Sequence, residues 1–207
     1  MTTFASLFER ASDYVVDEDD VREALDAHRE SVSRSSANAE ADEPSGTFDR
    51  SNEEPSPARV AADADVLAAD LLVGGTAREA LDHLRRHSWT TLVASDALID
   101  DAEAVIATLS DAEIAGDWRG RVEQWREPVA QPAGDHPALA SAYRGGAMQV
   151  VSLDASLTGA GAGAGLRDRF PVSVREPAAF ATVFSPARLY PEVVGGEYPG
   201  PDRDPRE

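Results

Sequence analysis

Between residues 59 and 184, short apolar segments alternate with stretches of helical periodicity, and this alternation is the strongest constraint on the fold. Residues 60–67 are mostly apolar and read as a buried strand, residues 90–94 and 148–153 as further strands, and residues 172–174 as a last short one. Between them, residues 76–87 place Ala80, Leu81 and Leu84 on one helical face. Ser95 is suited to cap a helix reaching Leu109, and residues 110–125 align Ile114, Trp118, Val122 and Trp125. Residues 128–132, with a proline at each end, read as a break. Residues 136–144 read as a helix with Pro137 in its first turn, and residues 177–184 as a last short helix. Strands alternating with helices predict an α/β domain, a three-layer Rossmann-like arrangement around a central, mainly parallel sheet. In such sheets functional groups gather beyond the carboxyl ends of the strands.

The flanks differ in character. Residues 3–34 predict two short helices, the first with Phe4, Leu7, Phe8, Ala11 and Val15 at helical spacing, the second capped by Asp17 with Val21, Ala24, Leu25 and His28 on one face. Helices this short are unstable alone, so they are expected to cover the main body, each other or another chain. The expected organisation is a helical appendage over 1–34, a flexible acidic linker over 35–58, the α/β domain over 59–184 and a loose, Pro-rich tail over 185–207.

Composition narrows the chemistry. The net charge is -19, all 19 basic residues are arginine, and Asp outnumbers Glu by 21 to 17. High salt screens the self-repulsion of such a chain, so the acidity reads as adaptation to a salty cytoplasm rather than as evidence of a cationic partner. Without cysteine there is no disulfide, thiolate ligand or thiol nucleophile, and without lysine no Walker or Schiff-base lysine. No apolar run approaches the roughly 18 residues that span a bilayer, and the first twenty residues lack the pattern of a secretory signal. The expectation is a soluble, cytoplasmic protein with no membrane partner.

Acids from four segments are expected at one end of the sheet. Asp63 lies in or near the end of the first strand, Asp154 directly follows the strand MQVVSL, Asp135 opens a helix, and Asp100 and Asp101 lie early in the helix after the second strand. Converging carboxylates repel, so a cluster makes physical sense around a hard cation such as Mg²⁺ or Mn²⁺. Helix capping by Asp is the competing explanation for Asp135 and for the Asp100/Asp101 pair.

The order of these motifs resembles the PIN-domain nucleases across residues 59–184. RVAADADVLAADLLVGGTAREALDHL resembles their opening strand, which ends in an Asp-x-Asn-type motif and runs into a helix. LVASDALIDDAEAVI looks like the second element, GDHPALASAYRGGAMQVVSLDASL like the third and fourth, and VSVREPAAFATVF like the closing strand and helix. The resemblance implies a PIN-like fold and Mg²⁺- or Mn²⁺-dependent hydrolysis of RNA phosphodiester bonds by an endoribonuclease. Asp63, Asp101, Asp135 and Asp154 would be the catalytic, metal-holding acids, with Asp100 competing for the second place. Asp65 stands where the family often has Asn and could bond backbone amides as Asn would. Ser152 stands near the family's hydroxyl before the last acid, where it could bond a carboxylate or phosphate. RNA is the implied partner, as substrate. A homodimer or an antitoxin-like protein is a further partner class, and both a toxin and an RNA-processing role are open. The competing function is a catalytically silent PIN-fold interaction module.

Other signals are weaker. DADVL also looks like the Asp-x-Asp motif of haloacid-dehalogenase-type phosphatases, but the usual Gly-Thr does not follow and no Lys exists. The Gly159–Gly165 run follows the last acidic strand and reads as a mobile loop rather than a phosphate cradle. His83 and His87 share a helix face without a metalloprotease pattern, and His136 reads as a solvated first-turn residue. Trp118 and Trp125 read as packing residues. Arg144, and with it Arg167 and Arg169, are the substrate-contact candidates.

Overall fold

A computed structural model describes residues 2–37, 54–132, 135–159 and 172–207. Five strands, β1 (Ser56–Ala62), β2 (Thr91–Ser95), β3 (Arg126–Val129), β4 (Ala147–Val151) and β5 (Ser173–Arg175), form one sheet in the order β3-β2-β1-β4-β5, and every pair is parallel. The helices are α1 (Phe4–Ala11), α2 (Glu18–Ala37), α3 (Ala64–Leu72), α4 (Gly75–Arg85), α5 (Asp96–Leu109), α6 (Ala112–Val122), α7 (Pro137–Arg144), α8 (Ala155–Thr158), α9 (Pro177–Val183) and α10 (Pro186–Val193). This α/β architecture, a parallel sheet flanked by helices, is compatible with a three-layer Rossmann-like fold.

Local chemistry explains most boundaries. Ser95 accepts a hydrogen bond from the Leu98 amide and starts α5; Asp111 accepts one from Ile114 and starts α6. Asp17 accepts from the amides of Asp19 and Asp20 at the head of α2. Pro137, Pro177 and Pro186 each stand in a first turn, where the missing amide hydrogen has no intrahelical partner to lose. Gly74, at φ +81°, turns the chain between α3 and α4 in a conformation that other residues rarely adopt.

Three expectations need correction. Residues 60–67 are not one strand: β1 ends at Ala62, and Asp63 caps α3, every residue of which is buried. A continuous apolar run suits a buried strand and a fully buried helix alike, and the Asp63 cap decides between them. Residues 128–132 do not simply break the chain, because Pro128 lies within β3, opposite Ala94 of β2. A strand at the sheet edge tolerates a residue without an amide hydrogen. Residues 185–207 are not loose: they carry α10 and then cross the body, where Tyr198 Oη lies 2.7 Å from His87 Nε2 and Asp202 accepts from the Ser88 amide. Arg206 ends this strap, its guanidinium on Asp82 and its carbonyl accepting from Ala5.

The N-terminal helices belong to the same core. Phe4, Leu7 and Ala11 of α1 and Val21 and Leu25 of α2 are buried with the residues of the sheet and of α3–α6. Helix α2 lies against α3 and α5, which brings its polar face over one end of the sheet.

Candidate functional site

The chain leaves β1 for β2 on one side of the sheet and returns to β4 on the other, so the strand order reverses between β1 and β4. In open parallel sheets this switch point opens a crevice beyond the carboxyl ends of the strands. Asp63 follows β1 and Ser152 follows β4, side by side: the Asp63 amide donates to Val151 O at 2.8 Å, and Ser152 Oγ donates to Asp63 Oδ2 at 3.1 Å. Neither residue has exposed surface.

Asp65 is the second residue of α3 and is also buried. Its Oδ1 accepts from the Val66 amide at 2.6 Å and its Oδ2 from the Leu153 amide at 3.0 Å. The second bond ties α3 to the loop after β4; an Asn at this place, with a single side-chain oxygen, would accept only one of the two. Burial first, and then the neighbouring charge of Asp63, hold the Asp65 carboxyl well above the usual carboxylate range. Asp65 thus holds its proton to higher pH than an ordinary Asp.

Asp101 and Asp100 separate cleanly. Consecutive helical residues point about 100° apart, so when Asp101 faces the crevice Asp100 cannot. Asp101 is 14% exposed in its side chain and faces α2, whereas Asp100 is 61% exposed and pairs with Arg119. Asp154 adjoins the crevice but caps α8, accepting from the amide and hydroxyl of Ser156. Together with Arg22, Leu25, Asp26, Arg29, Asp65 and Ala155 it lines a cavity of about 170 Å³. Asp135 is exposed; the adjoining His136 enters the cluster instead, with Nε2 3.7 Å from Asp63 Oδ2. His136 is half-buried, and its Nδ1 is buried without a hydrogen-bond partner among the described residues, so it is not the solvated residue expected.

Arg144 is not brought to this centre. It ends α7, and Gly146, two residues on, accepts from the amide of Ser56 at the start of β1. Helix α7 therefore runs from the acidic end of the sheet to the opposite end, about 12 Å over eight residues. Just after it, Gly145 approaches β2 so closely that an added Cβ would lie 2.6 Å from Val93 Cβ. Arg167, Arg169 and most of the Gly159–Gly165 run lie outside the described residues.

The residue that organises the crevice comes from α2 and was not anticipated. Arg29 donates from Nη2 to Asp63 Oδ1 at 3.0 Å and from Nε to Asp101 Oδ2 at 2.9 Å, while its Nη1 lies 3.4 Å from His136 Nε2. His28 Nε2 lies 3.5 Å from Asp101 Oδ1. Burial works against the charge of Arg29, but Asp63 and Asp101 outweigh it and hold the guanidinium above its usual pKa. The sequence carried one signal of this. Arg29 is four residues after Leu25 and eight after Val21, on the stripe that faces the body, where a charge calls for a partner.

Asp63 and Asp101 offer hard oxygen donors from separate elements with a cation already between them. No group of three or more His, Asp or Glu side chains among the described residues is arranged to hold a metal ion. Carboxylate oxygens are the donor type that hard cations such as Mg²⁺ take.

The fold and this crevice define a parallel α/β protein with an acidic centre at its topological switch point. Residues 54–206 match a family described as a family of unknown function (DUF7384), and the chain belongs to that family. Neither a curated protein nor a solved structure matches the chain. No helix among the described residues is long and apolar enough to cross a membrane.

Proposed function

We propose that this chain is a PIN-like, divalent-metal-dependent endoribonuclease, with Asp63 and Asp101 at the centre and Asp154 and Asp135 at its rim. One observation carries the reading: carboxylates from two separate elements converge on a single cation at the switch point of a parallel sheet. Asp63 and Asp101 would hold Mg²⁺ or Mn²⁺. When bound, such an ion stabilises charge on a phosphoryl group and lowers the pKa of an attacking water. Ser152 fixes the Asp63 carboxylate, and Asp65 fixes the loop that carries Ser152 and Asp154. His136, within reach of Asp63, is a group able to donate to a phosphate oxygen. RNA is the substrate class; Arg22, beside Arg29 on α2, replaces Arg144 as the nearest basic candidate for contact with it.

A second reading, a catalytically silent PIN-fold interaction module with a protein partner, is favoured by the fact that Arg29 already pairs with both Asp63 and Asp101. The two separate in one experiment. Single-stranded RNA is incubated in molar KCl with Mn²⁺ and with wild type, Arg29→Ala or Asp63→Asn/Asp154→Asn. Cleavage that chelation stops and that the double variant lacks is the expected result. Intact RNA with both wild type and Arg29→Ala would leave only the silent module.

A further inference from the structure

Helix α2 is held to the body in two different ways. In its first half Val21 and Leu25 are buried in the core. After Leu25 no described side chain of the helix is buried: residues 30–35 are all exposed, and Val32 shows 48% of its surface. Among the described residues, the polar contacts from this half to the body come from Arg29 and His28, and both touch the carboxylates of the acidic centre. Its docking therefore depends on the groups that a divalent ion would need.

We infer that the second half of α2 is a latch in cis, and that Arg29 and a divalent ion exclude each other at Asp63 and Asp101. This rests on the reading of the crevice as a metal centre and adds its regulation. Arg29 brings one positive charge and three nitrogen contacts into the space between the two carboxylates. An ion placed there must displace it, because the guanidinium and a dication cannot share those oxygens without strong repulsion. Once Arg29 leaves, no described side chain beyond Leu25 is buried against the body, and this end of α2 is left to propagate from residues 18–25 without the tertiary packing that gives helices most of their stability. Metal binding and undocking of residues 26–35 are thus one equilibrium. The affinity of the docked protein for the ion is reduced by the fraction of molecules in which the latch is open. RNA, which must reach the same carboxylates, meets the same barrier.

The test uses the full chain in molar KCl with Mn²⁺ as the probe. Calorimetry gives the Kd of wild type, Arg29→Ala, Arg29→Gln and Arg29→Ala/Asp63→Asn, and hydrogen exchange follows the amides of α2 with and without Mn²⁺. The expected result is a Kd at least about tenfold lower in both Arg29 variants, lost in the double variant. Saturating Mn²⁺ should speed exchange at residues 26–35 of wild type and leave residues 18–25 unchanged. In Arg29→Ala those amides exchange fast whether or not Mn²⁺ is present. Arg29→Gln serves if Arg29→Ala proves too unstable, since it keeps a hydrogen-bonding side chain without the charge. Two outcomes overturn the latch while sparing the metal centre. One is Asp63-dependent binding with equal affinity in wild type and the Arg29 variants. The other is tighter binding with no Mn²⁺-linked change in wild-type exchange, which would make Arg29 a matter of charge alone. Absence of Asp63-dependent binding in every protein overturns both readings.

Discussion

Arg29 Nη2 stands 3.0 Å from Asp63 Oδ1, joining a helix near the N-terminus to a carboxylate with no exposed surface at the end of the first strand. The side chain of Arg29 keeps a quarter of its surface in solvent, so the pair is buried from one side only. It is a tertiary contact across 34 residues of sequence, and it stands at the one place in this sheet where a ligand crevice is expected.

That pair should contribute to stability. Removing one partner of a fully buried pair costs about 3–5 kcal/mol; with solvent screening at Arg29, Arg29→Ala is expected to cost about 1–3 kcal/mol. The same change in an Asp63→Asn background should cost at least about 1 kcal/mol less, because no uncompensated charge is left beside Asp65. Denaturant unfolding of the four proteins in molar KCl measures the coupling. Equal costs in the two backgrounds would mean that the pair adds nothing to the fold.

A second arginine should matter more. Arg85 forms a two-pronged pair with Asp70 at 2.7 and 2.8 Å and also reaches Asp82 at 2.7 Å, all nearly without exposed surface. Its guanidinium lies 4.7 Å from the centre of the Phe4 ring, so it also holds α1 in place. Arg85→Ala strands the Asp70 carboxylate and is expected to destabilise by about 3–5 kcal/mol. Arg85→Lys restores the charge but not the planar fork, and should recover less than half of the loss. Unfolding midpoints in guanidinium chloride read both, and an Arg85→Lys protein as stable as wild type contradicts the geometry.

The pH dependence has a sign that can be worked out at His83. Burial first, then the charges of Arg86 and His87, hold its pKa below the ordinary value of about 6.5. The unfolded chain therefore takes up a proton at a higher pH than the folded chain does. Stability is full above the unfolded value and is lost as pH falls from there towards the folded pKa. Between pH 7 and pH 5 the Tm of wild type should drop further than that of His83→Gln. Thermal unfolding at both pH values decides it, an equal drop in the two proteins being the contrary result.

The alternation of apolar strands and amphipathic helices was legible because periodicity is a local property, set by neighbours within one or two turns. Ser95 as a cap, Pro137 in a first turn and Asp63 and Asp154 at strand ends could all be read from a few adjacent residues. Where two local solutions were equal, the reading failed. Residues 60–67 suit a strand or a buried helix, and the boundary is set where the pairing of β1 ends at Ala62 and Asp63 caps α3. Pro128 reads as a breaker until the sheet gives it an edge.

By itself the sequence determined the fold class, the parallel sheet and the delivery of acids to one end of it, because burial of alternating apolar faces has few solutions. Only the tertiary structure decided which acids meet. It turned Asp101 inward and Asp100 out to Arg119, left Asp135 exposed beside an inward His136, and carried Arg144 to the far end of α7. It also placed Arg29 between Asp63 and Asp101. The reason is physical: a helical periodicity fixes which residues share a face, but what that face meets depends on contacts between segments far apart in the chain.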